Sequence, residues 1–419
     1  MTKRTTLIIS MMLGAFLMGT VFIFAVKPYP GADFAVYQRL GHNIAAGRGY
    51  SQEISAPFIP DGMREPLYPM FLAVVYRLFG FNDVAVYLIQ ALLYSLSAFI
   101  LYRASLEIAD ERTSILAGFI FALCPFTAYY CGMIYAEILA TFLLVTVTYL
   151  LTRYVRTGGV LALVIAGLLT GCLILTKRMY VFYPFAVAGA LFLRRRPNIR
   201  RKALEIIVII FTMAAVMAPW AMRNYATFGR FIPLVNGYGP GVFFYISTVQ
   251  FKGNLTGVGY ENNPLVLEQF EQMFQEGGFS PAEKESFPFV PGSSAICFKY
   301  AIKNIQDDPA DYVAGLIKKI PRLFVHVYSP GHEQGPVYIT SAIALAIYAI
   351  GLYGIWVARA SWRKMAFFLL PIVYLSLTAL LTVMTSRYTV PARPHLMFFA
   401  AAALMSALNR RRGPFEKKL

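Results

Sequence analysis

Long apolar runs, broken by short polar or basic stretches, dominate this chain, and their lengths carry more information than any fine periodicity. A helix that crosses a membrane needs about 17 to 25 mostly apolar residues. Windows of this kind lie near 7–26, 84–103, 114–132, 136–152, 159–176, 179–193, 203–222, 334–358, 365–384 and 389–408. The pattern predicts an all-α polytopic membrane protein of about ten spans, with ends uncertain by several residues. Two further apolar stretches are shorter or more charged. Leu67 to Phe79 is too short for a span, and Tyr312 to Val327 carries Lys318, Lys319 and Arg322, so both are expected to lie along a membrane surface.

The polar stretches between the runs set an expected orientation. Ten spans put both termini on one side, and Lys3-Arg4, Arg153, Arg156, the block Arg194 to Lys202, Arg359 to Lys364 and the tail Arg410 to Lys418 all fall on that side. An excess of Lys and Arg marks the cytoplasmic side, so the termini are expected inside. Two segments then lie outside: a first loop from Lys27 to Pro66, and a long one from Arg223 to about Glu333. The run from Thr6 to Val26 exceeds the 7–15-residue core of a signal peptide and reads as a retained span, with a cleaved leader as the alternative. The expected organisation is a membrane module over 1–222 whose first outer loop (27–66) carries the chemistry, an extracytoplasmic loop over 223–333, and C-terminal helices with a basic tail over 334–419.

Composition agrees with this pattern. Of 419 residues 58% are hydrophobic and 14% charged, with a mean hydropathy of +0.57, against about 25% charged in soluble domains. The formal charge of +17 suits nucleic acid or a membrane surface. The cations cluster between apolar runs and form no basic stripe on a soluble module, which excludes a nucleic-acid partner. Cys124, Cys131, Cys172 and Cys297 have no metal-ligand spacing and read as small hydrophobes. The run Asp307-Asp308-Pro309-Ala310-Asp311 reads as a capped helix start rather than a metal site. Gly167-x-x-x-Gly171 reads as helix packing. The second loop, with NGYGPG at 236–241 and polar text from Glu261 to Gly292, is expected to be extended and without a core of its own.

Soluble-enzyme motifs are missing: there is no H-E-x-x-H, G-x-S-x-G, Walker loop or dinucleotide fingerprint. No cofactor is indicated, and the absence of any D-x-D pattern argues against an obligatory divalent metal. The candidate chemistry is carried by charges at span ends. Asp33 opens a helical stretch in which Val36, Leu40 and Ile44 recur every four residues, a face able to lie on the membrane, and Tyr37 follows Asp33 by one turn. Asp33 is either a helix cap or a reactive carboxylate. Glu137, in MIYAEILATFLL, is either a helix-start residue or a functional ionisable group. Lys177-Arg178, Arg64, Arg223 and Arg387 sit on the expected outer side against the charge rule. They fit an anionic phosphate at the surface, or they snorkel to lipid headgroups.

Several passages resemble the GT-C superfamily of membrane glycosyltransferases, in particular the bacterial branch related to protein O-mannosyltransferases and to the lipid A aminoarabinose transferase. These are GADFAVYQRLGHNIAAGRGYS, REPLYPMFLAVVYRLFG, YAEILATFLLVTVTYLL and PWAMRNYATFGRFIPLVNGYG, with looser matches in LTKRMYVFYPF and SRYTVPARPH. The resemblance implies an enzyme of the extracytoplasmic face of a bacterial inner membrane. It would move a sugar from a polyprenyl-phosphate donor, with inversion, to a hydroxyl or amine of a lipid, glycan or protein acceptor. It matches Asp33 to the catalytic base and Glu137 to a second carboxylate. Arg64 falls where the family carries a cation against the donor phosphate, with Lys177, Arg178 and Arg387 as further candidates and Tyr37, Tyr68 and Arg223 as substrate contacts. Here Arg-Glu-Pro-Leu stands where the aminoarabinose relatives show Lys-Pro-Pro. Two other classes remain: a transporter or flippase of lipid-linked sugars, against which the absence of mid-span charges and inverted repeats argues, and a non-catalytic subunit of a glycan pathway.

Overall fold

The apolar runs named above are largely helical over their described residues in the computed structural model, which describes residues 2–25, 32–194, 198–235, 237, 239–249, 264–290, 292–323, 334–382 and 386–408. The basic tail after 408 and parts of both expected outer loops lie outside these residues. α1 (Lys3–Ala25), α2 (Ala32–Ala45), α3 (Leu67–Phe79) and α4 (Asp83–Ser105) are followed by α5 (Glu111–Ala122) and the one-turn α6 (Pro125–Ala128). Next come α7 (Glu137–Thr157), α8 (Val160–Thr176), α9 (Tyr183–Phe192) and α10 (Ile199–Phe228). Four shorter helices, α11 (Pro240–Val249), α12 (Pro264–Gly277), α13 (Ser294–Asp307) and α14 (Pro309–Lys319), precede α15 (Gln334–Val357), α16 (Ala366–Leu381) and α17 (Arg393–Leu408).

Local sequence explains the helix boundaries. The Asn82 and Asp110 side chains accept backbone N–H groups at 2.9 and 3.0 Å and start α4 and α5. Asp308 accepts from the Asp311 N–H at 2.9 Å with Pro309 at the first helical position, so the Asp-rich run is a helix start. Gly158 and Gly229, at φ 73° and 69°, end α7 and α10 in the left-handed region.

Among the described residues five helices are long and apolar enough to cross a membrane, and 111–122 with 125–132, bent by 49° around Pro125, form either a broken sixth span or a re-entrant pair. Val160–Thr176, Arg178–Phe192 and Ala366–Leu381 are apolar but shorter, so helix length does not establish the expected count of ten. Close backbone approach holds several of the helices together. A Cβ on Gly171 would stand 2.8 Å from the Met213 carbonyl of α10, and one on Gly351 2.9 Å from the Leu396 carbonyl of α17. The Gly167/Gly171 pair is therefore a packing device.

The bundle has two chemically different ends. At one, Arg4 pairs with Glu111, Arg153 and Arg156 with Glu107, and Arg194 and Arg201 with the buried Glu205. The other end gathers the start of α2, the 50–66 segment, the start of α7, the α8–α9 turn and the 3-10 turn at 386–392.

The structure corrects two expectations. The second loop does build a core: Val242, Tyr245, Ile246, Met273, Phe274, Phe287 and Cys297, from α11 to α13, bury together. That apolar content comes from aromatics spread over separate short helices, so no continuous run reveals it. Gly241 permits the approach of α11 to α13, with its N–H 3.0 Å from Ser294 Oγ. The Val36, Leu40 and Ile44 stripe, read as a membrane-facing surface, packs into the main protein core instead, where Leu40 is fully buried and α3 covers Gly41.

Candidate functional site

Asp33 lies in the first turn of α2, where its carboxylate faces the 3-10 turn at 386–392 and the 50–66 segment. Arg64 Nη2 approaches Asp33 Oδ1 at 2.6 Å, and Arg387 Nη2 pairs with Asp33 Oδ2. One carboxylate is thus held by two arginines from distant parts of the chain. Burial pushes the Asp33 carboxyl up, but Arg387 and Arg64 outweigh that and hold it down at about 2. Its side chain is still 18% exposed, so a small group can reach it.

Glu137 sits deeper, at the first residue of α7, with only 1% of its side chain exposed. Lys177 Nζ lies 2.6 Å from its Oε1 and Arg387 Nε 3.7 Å away. Glu137 therefore ties the end of α8 to the 386–392 turn, and Arg387 bridges both carboxylates. Burial lowers the Lys177 ammonium despite the opposing field of Glu137. Burial would lower Arg387, but Glu137, Tyr388 and Asp33 outweigh it and raise it. The rings of Tyr135 and Tyr388 wall the Arg387 guanidinium at 5.0 and 5.6 Å, and Tyr388 also lies 5.1 Å from Lys177 Nζ.

Arg178 is beside this group but has its own carboxylate. Its backbone N and its Nε donate to Glu65 Oε1 at 3.0 and 2.7 Å, and its Nη2 donates to the Met63 carbonyl at 2.8 Å. Burial would raise the Glu65 carboxyl, yet Arg178 leaves it lowered. The Tyr50 hydroxyl donates to the Arg64 and Glu65 carbonyls at 3.1 Å each, so this segment is fixed on both sides. Glu65 is the residue that sequence reasoning missed; its signal was the Arg-Glu-Pro-Leu departure, in which a buried acid replaces an expected proline.

The remaining candidates sit around the cluster. Tyr37 is buried under Arg64, whose guanidinium is 5.7 Å from the ring. Tyr68 packs edge-on against Tyr37 at 5.0 Å and donates its hydroxyl to Gln90 Oε1 at 3.0 Å, which makes it part of the floor. Arg223 is not brought in: Tyr50, Trp220 and Phe228 surround it, and it donates to the Asp61 carbonyl at 2.9 Å. It joins the end of α10 to the 50–66 segment. Among the described residues no group of three or more His, Cys, Asp or Glu side chains gathers as a metal site. Among the described residues the cluster holds Arg64, Lys177, Arg178 and Arg387 against Asp33, Glu65 and Glu137, an excess of one positive charge. It is suited to receive one monoanion beside a reachable carboxylate.

The chain is similar in sequence pattern and fold to known proteins. Residues 61–222 match the family model described as dolichyl-phosphate-mannose-protein mannosyltransferase, a stretch that includes Arg64, Glu65, Glu137, Lys177 and Arg178. No curated protein matches the sequence. The oligosaccharyltransferase of Archaeoglobus fulgidus, in its apo crystal form, superposes with a TM-score of 0.58 at 15% identity over 96% of this chain and 51% of that one. The same organism's AglB, in complex with an inhibitory peptide and a dolichol-phosphate, gives 0.55 at 15% identity over 98% and 52%. ArnT from Cupriavidus metallidurans bound to undecaprenyl phosphate gives 0.46 at 15% identity over 96% and 77%. The chain spans about half the length of the archaeal enzymes. At this identity the likeness is one of fold.

Proposed function

We propose that this chain, whose fold is that of the GT-C membrane glycosyltransferases, transfers a sugar from a polyprenyl-phosphate donor to a hydroxyl or amine acceptor at the extracytoplasmic membrane face. The observation that carries this reading is Asp33, a reachable carboxylate held between Arg64 and Arg387 inside a cluster with one surplus positive charge. A prenyl phosphate linked to a sugar is a phosphodiester with a single negative charge, and that charge matches the surplus. Guanidinium forks suit its oxygens.

In this reading the donor phosphate sits against Arg64, Arg387 and Lys177. The acceptor O–H or N–H attacks the anomeric carbon from the face opposite the phosphate, and Asp33 takes the proton. The bond from the anomeric carbon to the phosphate oxygen breaks, the electron pair leaves with the prenyl phosphate, and the configuration inverts. Charge grows on the leaving oxygen, so preorganised cations contribute more here than a proton donor would. Glu137 holds Lys177 and Arg387 in place and is too deep to meet the acceptor.

The resting pairs give the donor a second effect. A carboxyl held at about 2 is a weak proton acceptor. A phosphate that draws Arg64 and Arg387 toward itself relaxes their hold on Asp33 and strengthens the base when a donor is in place. The test is Asp33→Asn in purified protein supplied with a prenyl-phosphate sugar and a surrogate acceptor. Transfer should be lost while donor binding persists; a folded variant that retains near-normal transfer would exclude Asp33 as the base.

A further inference from the structure

Lys319, the last residue of α14, is 0% exposed, and its ammonium meets no carboxylate among the described residues. Its three N–H groups are instead shared among four oxygens of two segments: Ser247 Oγ at 2.7 Å, the Ser247 carbonyl at 3.2 Å, the Leu380 carbonyl at 3.0 Å and the Thr382 carbonyl at 3.3 Å. Leu380 and Thr382 form the C-terminal end of α16, where carbonyls run out of helical partners. A lysine at a helix C-terminus satisfies such carbonyls and opposes the negative end of the helix dipole. Here the lysine comes from another helix, so capping α16 also binds the outer helices to it. Ser247 of α11 strengthens the joint by donating to the Leu380 carbonyl at 3.2 Å.

A second contact lies just beyond. Thr389 Oγ1 donates to the Leu323 carbonyl in the turn that follows α14, and Leu323 packs against Ala379 and Leu380. The α14 end thus grips the chain before and after Arg387, whose guanidinium reaches Asp33 and Glu137.

We infer that Lys319 is a positioning residue that locks the outer helices onto the end of α16 and thereby fixes the height at which Arg387 meets Asp33 and the donor phosphate. This rests on the transferase reading for its kinetic consequence, but not for its structural one. The experiment uses the full chain in detergent with Lys319→Ala, Lys319→Arg and Ser247→Ala. Hydrogen exchange is followed across 386–392, and donor KM and kcat are measured with a prenyl-phosphate sugar.

Lys319→Ala should speed exchange in 386–392 above the rest of the chain and raise donor KM by about tenfold, the scale of a lost charged hydrogen-bond set, with kcat less affected. Added ethylammonium should restore both, and Lys319→Arg should be the milder variant. Unchanged exchange and unchanged KM in Lys319→Ala would overturn the inference. If that variant unfolds throughout, Ser247→Ala decides: local exchange at 386–392 supports the joint and its absence refutes it. If the wild-type chain transfers nothing, the transferase reading fails while the exchange result still judges Lys319.

Discussion

Asp33 has to be ionised to accept a proton, yet the arginines that keep it ionised also make it reluctant to accept one. In the proposed mechanism ionisation is secured by a carboxyl near 2, and basicity would depend on the donor displacing Arg64 and Arg387. Asp33→Asn keeps the shape and a hydrogen-bonding side chain but removes the proton acceptor, so transfer should fall by about 10² or more, the usual worth of a positioned base, measured as single-turnover rate. The pH dependence of stability has a definite sign. A carboxyl lowered in the folded state stabilises above its unfolded pKa and loses that contribution as pH falls through the folded value. Wild-type melting temperature should therefore be insensitive to Asp33 from neutrality down to about pH 4 and decline toward pH 2. Asp33→Asn should start lower, because Arg64 and Arg387 each lose one ion-pair partner, and converge with wild type at the acid end. A constant gap at all pH values would mean that Asp33 does not hold the arginines in solution. Asp33 was legible in the sequence because it is acidic, follows the first apolar run and precedes a helical repeat. Its partner Arg387 lies 354 positions away, a pairing that no local pattern announces.

At the scale of elements, the site depends on how firmly the 50–66 segment meets the α8–α9 turn. Glu65 makes that connection by accepting both the backbone and the side chain of Arg178, while the Tyr374 hydroxyl from α16 donates to the Met179 carbonyl at 2.6 Å. A buried ion pair that loses one partner leaves an uncompensated charge, which costs more than the pair contributes. Glu65→Gln should raise donor KM by about tenfold through loss of a charged hydrogen bond and leave kcat nearer wild type; an unchanged KM would make Glu65 a folding residue alone. Gly171→Leu, by contrast, should lower the melting temperature through clash of α8 with the Met213 backbone and Val216 of α10. The helices themselves were legible because apolar length is a strong signal, and Leu67 to Phe79 appears with the bounds its pattern suggested. The core of α11 to α13 was not: Phe270 and Phe274 of α12 meet Phe279 and Phe287 only where the chain turns back after α12. Glu65 was equally hidden, since its value depends on a turn 113 residues away.

For the whole molecule, the proposed function turns on which end faces outside, because a lipid-linked donor and its acceptor would have to meet on one side of the membrane. The two ends differ in kind. One holds the half-exposed Arg4, Arg153, Arg156 and Arg201 and the more buried Arg194 around Glu107, Glu111 and Glu205, and exposed cations at span ends favour the cytoplasm. The other holds cations that are mostly buried in ion pairs, so they no longer act as free topological signals, and an outward placement of that end would be compatible with the charge rule. Cysteine labelling separates the ends cleanly, since Cys124, Cys131 and Cys297 are buried and Cys172 is half-buried in α8. Ile54, highly exposed in the 50–66 segment, and Thr157, exposed at the opposite end, are suitable positions. In intact cells a membrane-impermeant maleimide should label Ile54→Cys and leave Thr157→Cys untouched until the membrane is permeabilised. The reverse pattern would place Asp33 in the cytoplasm, where soluble nucleotide-linked sugars compete as donors, and would remove the reason for a prenyl-phosphate donor. The expected pattern would instead confine the donor to a lipid carrier, because an activated sugar needs such a carrier to cross to that face.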